Sequence, residues 1–170
     1  MNEQRFRSGL IARLRSSGAD VVWCAEQIPD GQLGWAPEGE WSALEILTHL
    51  RDVEYGIHIA RIQAAVLEDN PEFPRFDAGT WRATHRPEPQ TFDQMVADFA
   101  AGRRALTAML DRLDEDDWER PARSAAFGQG RLQTVAERAY LHTLDHIQQL
   151  FRLRRAIVSA EARGGVNAAN

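Results

Sequence analysis

The segment L-H-T-L-D-H-I-Q-Q-L, Leu141 to Leu150, places two histidines four residues apart where a helix would bury leucines. Residues at that spacing differ by about 40° around an α-helix and about 6 Å along it, so both imidazoles can converge on one point beside the axis. Helical metal sites use this spacing. The inward stripe of this last helix reads Val135, Ala139, His142, His146, Leu150, Leu153 and Ile157, with the histidines in its middle. A third histidine, His49, lies three residues after Ile46 and four before Val53, on the apolar face of an earlier helix. One histidine on an apolar face is ordinarily a hydrogen-bonded core residue. Three neutral imidazoles meeting from two helices need partners, and a divalent transition ion supplies one partner for all three while keeping a position open.

The remaining polar residues near these positions fit simpler roles. His58 follows His49 by nine residues, about 180° around a regular helix, so it is expected to face away. His85 lies in a Pro-rich connection and is set aside as a ligand, although that connection could fold over the site. Glu45 is one turn before His49 but is accounted for by helix capping. Asp145 and Gln149 flank the histidine pair, and Asp52 follows His49 by three. Asp145 and Asp52 are candidates for orienting a neighbouring group rather than for ligation.

The elements that position these residues read as helices. The first is expected to begin near Glu3, to bury Phe6, Leu10, Ile11 and Leu14, and to break or bend at Ser16-Ser17-Gly18 before a second piece from Ala19 to Ile28. P-D-G-Q-L-G-W-A-P-E-G-E is a loop on its Pro and Gly content. Ser42 and Glu45 form a capping box, with Trp41 and Ile46 placed for a hydrophobic staple. The stripe that follows is Ala43, Ile46, Leu50, Val53, Ile57, Ala60, Ala64 and Leu67, ended by Asn70-Pro71. Pro71 to Gln90 lacks periodicity and is long for a connection, as functional segments and end-to-end crossings are. A third helix starts at Thr91 with Gln94 as its box and buries Phe92, Val96, Phe99, Leu106, Leu110 and Leu113. D-E-D-D-W-E-R-P is a polar stop and A-F-G-Q-G a turn-rich loop. The last helix is expected to open at Thr134 with Glu137 and to run to about Ile157. No convincing strand pattern is present.

The expectation is therefore an all-α four-helix bundle with long connections between its second and third and its third and fourth helices. It is a single domain over residues 1–170, with a core from about 3 to 157 and a fraying tail from 158 to 170. A chain of 170 residues can bury a core without staples. Its formal charge of −5 gives no reason to expect a nucleic-acid partner. All its basic residues are arginine, scattered rather than gathered in a run. Cys24 is the only cysteine, which rules out an intramolecular disulfide and a cysteine-based metal site, and reads as a small buried apolar residue. The N-terminus has no apolar signal-like region and no apolar run is long enough to span a membrane, so a cytoplasmic protein without a membrane partner is expected.

W41-S-A-L-E-I-L-T-H49-L-R-D52 followed by H142-T-L-D-H146-I-Q-Q149 resembles the DinB superfamily, which includes bacillithiol- and mycothiol-dependent transferases. E54-Y-G-I-H-I-A-R61-I, E68-D-N-P71 and F76-D77 are similar to its members too, and the likeness runs from about Ala19 to Ile157. The resemblance implies an up-down-down-up order of the four helices. It implies a metal held by His49, His142 and His146, with zinc or nickel foremost and iron or manganese also within the family's range. It also implies a homodimer and a small-molecule substrate. Where many members carry a further histidine beside the last ligand, this chain has Asp145.

Two functional readings follow. In the first, the ion lowers the pKa of a low-molecular-weight thiol cosubstrate, so that a thiolate attacks an electrophile; a hydrolase in which water is the nucleophile is the metal-driven variant. Asp145, Asp52 or Asp77 could then assist proton transfer. In the second, the protein is a non-catalytic, stress-associated metal-binding bundle whose stripes serve dimerisation.

Overall fold

The computed structural model describes residues 3–84 and 90–164. The expected tail from 165 onwards, and His85, lie outside the described residues. Four long helical segments carry the fold. They are α1 (Glu3–Glu26), a composite second helix made of α2 (Ala43–Val53), a π-helical turn (Glu54–Ile59) and α3 (Ala60–Leu67), then α5 (Phe92–Leu110) and α7 (Leu132–Ala162). Short helices α4 (Ala78–Thr84) and α6 (Glu115–Glu119) lie in the two long connections.

The order of the helices can be read from two separate apolar clusters. One joins Leu10 and Leu14 of α1, Ile62 and Ala65 of α3, Leu106 and Leu110 of α5, and Leu132 to Ala139 of α7. The other joins Val21 and Cys24 of α1, Ala43 and Ile46 of α2, Met95 and Phe99 of α5, and Leu150 to Ile157 of α7. The start of α1 thus lies with the start of α7, and the start of α2 with the start of α5. The first and last helices run one way and the middle two the other, which is the up-down-down-up order.

A buried polar layer separates the two clusters. Arg103 of α5 donates to both carboxylate oxygens of Glu54, at 2.6 and 2.9 Å, to Thr143 Oγ1 at 2.8 Å and to the Leu14 carbonyl at 3.1 Å. Arg103 and Glu54 are both buried. Two glycines make room for this network. A Cβ on Gly18 would lie 2.7 Å from Arg103 Cγ, and one on Gly102 would lie 3.0 Å from Glu54 Cγ and Tyr55 Cε2. Gly18 therefore does not break the first helix, although its neighbourhood predicts a break or bend. α1 continues through it, and Ser17 turns its hydroxyl back onto the Leu14 carbonyl at 3.1 Å.

The Ser42–Glu45 and Thr91–Gln94 boxes form as expected. α7 opens earlier than expected, at Leu132: Thr134 Oγ1 accepts from the Arg131 backbone N–H at 3.3 Å, and Glu137 instead accepts from Gln133 at 2.9 Å. It also runs on to Ala162. A small sheet in the order β1-β2-β3 was not expected: β1 (Glu72–Phe73) pairs parallel with β2 (Pro121–Ser124), which pairs antiparallel with β3 (Gly128–Arg131). At two to four residues each, these strands are too short to carry a periodic signal.

Candidate metal centre

His49 stands on α2, the helix that Ser42 and Glu45 start, and is 1% exposed. His142 and His146 stand one turn apart on α7, half-buried. The structure brings the three together. His142 Nε2 lies 3.1 Å from His49 Nε2 and 3.1 Å from His146 Nε2, and one ring nitrogen from each of the three lies within 4.8 Å of the others.

The donor set suits a cation better than it suits hydrogen bonding. A ring nitrogen has either one proton or one lone pair, so His142 Nε2 cannot be properly paired with two other ring nitrogens at once. Ligand nitrogens about 2.0–2.1 Å from a tetrahedral ion stand roughly 3.3 Å apart, close to the separations found. The outer nitrogens support the same orientation. His146 Nδ1 lies 2.8 Å from Gln149 Oε1, an acceptor, which places the proton on Nδ1 and the Nε2 lone pair towards the other two rings. Burial holds His146 below the ordinary imidazole range, opposed by Gln149 and Asp145. His142 is pushed down first by burial and then by the neighbouring histidines His58, His146 and His49. Neutral rings are the form that ligates.

His58 corrects the sequence reading. It does not face away: it is buried, and its Nε2 lies 3.4 Å from His142 Nδ1. The cause is the π-turn, which spends one extra residue and rotates the rest of the helix inward by one position. From within the turn at His58 onwards the buried residues are accordingly His58, Ile62 and Ala65, while Ile57 and Ala64 are only partly buried and Ala60 and Leu67 are exposed. Burial, then Arg103 and Arg61, push the His58 pKa down to about 3. A neutral His58 can accept from His142 Nδ1–H, leaving the Nε2 lone pair of His142 free to point at the other two rings. Among the residues read from sequence, this role for His58 is the one that was missed.

The other candidates are not among the three converging imidazoles. Asp145 is exposed and makes no hydrogen bond to a histidine among the described residues. Asp52 Oδ1 accepts from Arg51 Nε at 2.8 Å and Nη2 at 2.6 Å. Asp77 is exposed and accepts from the Thr80 backbone N–H at 2.8 Å, at the start of α4. Glu45 caps α2 and also accepts from Arg82 of α4 at 2.8 Å. That contact fastens α4 over the histidines. Trp81 of α4 stacks on Trp41, with centroids 5.7 Å apart, and meets His49 edge-on at 4.9 Å. Phe76, from the same connection, lies 5.6 Å from His49. The long connection is thus an aromatic cover for the site.

The sequence matches the family model described as the DinB superfamily over residues 13–150. No curated protein matches it. Among solved structures, the chain is similar to YfiT from Bacillus subtilis, described as a probable metal-dependent hydrolase with an unusual four-helix bundle topology. The two share 20% identity and a TM-score of 0.78, over 92% of this chain and 89% of that one. It is also similar to YjoA, a DinB-like protein of Bacillus subtilis, at 15% identity and a TM-score of 0.61, over 95% and 96% of the two chains. These likenesses concern the fold. Membership rests on the family match over most of the sequence: the chain belongs to the DinB superfamily.

Proposed function

We propose that His49, His142 and His146 hold one divalent transition ion, zinc or nickel first and iron or manganese next, and that the protein is a metal-dependent transferase acting on small molecules. The observation that carries this reading is the meeting of three imidazole nitrogens at 3.1 Å separations around His142 Nε2. When bound, the ion would supply Lewis acidity at an open position and lower the pKa of a thiol brought there. The thiol belongs to a low-molecular-weight cosubstrate. Cys24, the chain's one cysteine, packs in the apolar cluster away from the histidines, and burial raises its pKa. The protein's own groups orient and enclose. Gln149 and His58 set the ring orientations of His146 and His142, and Trp41, Trp81 and Phe76 pack around His49.

A hydrolase using water in place of the thiol is the second reading, favoured by the fold shared with YfiT. A homodimer belongs to the proposal as well. Phe6 of α1 and Leu141 of α7, 42% and 48% exposed, line one apolar groove that a second copy could cover, which sedimentation would test. Among the described residues no helix is long and apolar enough to cross a membrane. The functional test is a metal-loaded assay of thiol conjugation to a model electrophile, run beside ester hydrolysis without thiol. Turnover that requires both metal and thiol and is lost in His49→Ala supports the transferase. Thiol-independent hydrolysis selects the second reading. Bound metal without either activity returns the protein to a binding role.

A further inference from the structure

A cavity of about 480 Å³ adjoins the histidine centre on the side of His142 and His58. Its charged lining is one-sided: among the described residues Arg61, Arg75 and Arg138 contribute to it, and no carboxylate does. This local excess of positive charge stands in a chain with 25 acidic and 20 basic residues. The three arginines come from three places. Arg61 is on α3, Arg75 precedes Phe76 in the connection, and Arg138 is on α7, one turn before His142. Arg75 and Arg138 are exposed and enter no salt bridge among the described residues. The charge of Arg75 does reach the exposed Asp77 carboxylate, whose pKa is lowered first by the Thr80 backbone N–H and also by Arg75. Arg61 is half-buried, donates to the Pro74 carbonyl at 2.7 Å, lies 5.3 Å over the Phe73 ring and enters no salt bridge among the described residues. Its guanidinium is therefore fixed in place with donors to spare, and burial lowers its pKa. Phe76 and Phe127 provide apolar walls.

From this geometry we propose that the cavity is the substrate pocket of the histidine centre and selects a small anionic molecule, held by a carboxylate or phosphate group between Arg61, Arg75 and Arg138. Planar guanidinium groups pair with both kinds of anion through two parallel N–H donors. With its anionic end held there, the rest of the ligand lies along Phe76 and Phe127 towards His142. This rests on the metal-centre reading for its chemistry but not for its binding, and the two can be tested apart.

The test measures calorimetric binding of three aromatic probes to the full chain: phthalate, phenyl phosphate and neutral benzamide. Bound metal is assayed in the same samples. At least one anion is expected to bind with a millimolar or tighter Kd, benzamide not to bind, and Arg75→Gln/Arg138→Gln to weaken the anion at least tenfold. The stronger of the two anions names the class. Both substitutions are at exposed side chains, and each single variant is expected to show part of the loss. Arg112→Gln/Arg155→Gln, with the same change of net charge outside the cavity, is expected to bind as the original chain does. The proposal is overturned if neither anion binds, if the cavity variant binds as before, or if the outside pair loses as much. Metal uptake without anion binding would remove the pocket and leave the centre. Anion binding without metal uptake would do the reverse.

Discussion

At the scale of single residues, the structure adds a supporting histidine. If His58 fixes His142 through its Nδ1–H, then His58→Ala should weaken metal binding by about 10- to 100-fold, the range for lost outer partners of ligands. His58→Gln, which keeps an acceptor, should recover part of it, as competition with a chromophoric chelator would show. A second expectation concerns acid. His58 is held neutral in the folded chain down to about pH 3 but titrates near 6.5 when unfolded. Below about pH 6.5 the unfolded state takes up a proton that the folded state does not. The stability of the metal-free protein should therefore fall with pH by up to ~1.4 kcal/mol per unit for this residue alone, until about pH 3. Urea unfolding across that range reads it directly, and His58→Gln should flatten the slope. The triad itself was legible in the sequence, because His142 and His146 sit on an uninterrupted α-helix and His49 lies before the π-turn. His58 was not, because its phase depends on one extra residue that no spacing rule reveals.

At the scale of elements, the π-turn and the Arg103–Glu54 pair share one location. Glu54 opens the turn, and its carboxylate is satisfied by a guanidinium reaching across from α5. Removing one member of such a buried pair strands the other, so Glu54→Ala should cost about 3–5 kcal/mol in urea unfolding. Gly18→Ala tests the same layer from α1. Helix propensity alone would favour alanine by about 1 kcal/mol. The added Cβ would stand 2.7 Å from Arg103 Cγ, and the several hydrogen bonds of Arg103 resist its displacement. A net loss of about 1–3 kcal/mol is expected, and a gain would show that the layer yields. Sequence patterns found the long helices and two of the three expected capping boxes, those at Ser42 and Thr91 but not the one at Thr134. They missed the continuity of α1, since a small residue admitting a neighbour's side chain reads the same as one that breaks a helix. They also missed α4 and the three strands, which are too short for a periodic signal, and β1 pairs with a β2 that lies far along the chain.

At the scale of the whole molecule, the histidines lie on the composite second helix and on α7, each of which contributes to both apolar clusters, so an ion held between them would tie the bundle at its polar middle. An ion at one hundred times its Kd stabilises the folded state by about 2.7 kcal/mol. For a chain of this size that corresponds to a rise of roughly 5–10 °C in Tm, to be absent in His142→Ala. The order of the four helices was accessible through the family resemblance and the long connection after Pro71. The anionic selectivity proposed for the adjoining cavity was not, because Arg61, Arg75 and Arg138 become neighbours only when the chain folds.

The most direct measurement is equilibrium dialysis of the metal-free protein against zinc and nickel, with the bound ion counted for the original chain and for His49→Ala, His142→Ala and His146→Ala. About one ion per chain, lost in each of the three variants while circular dichroism shows the helices intact, is the predicted result. No bound ion in the original chain, or undiminished binding in the variants, would contradict it.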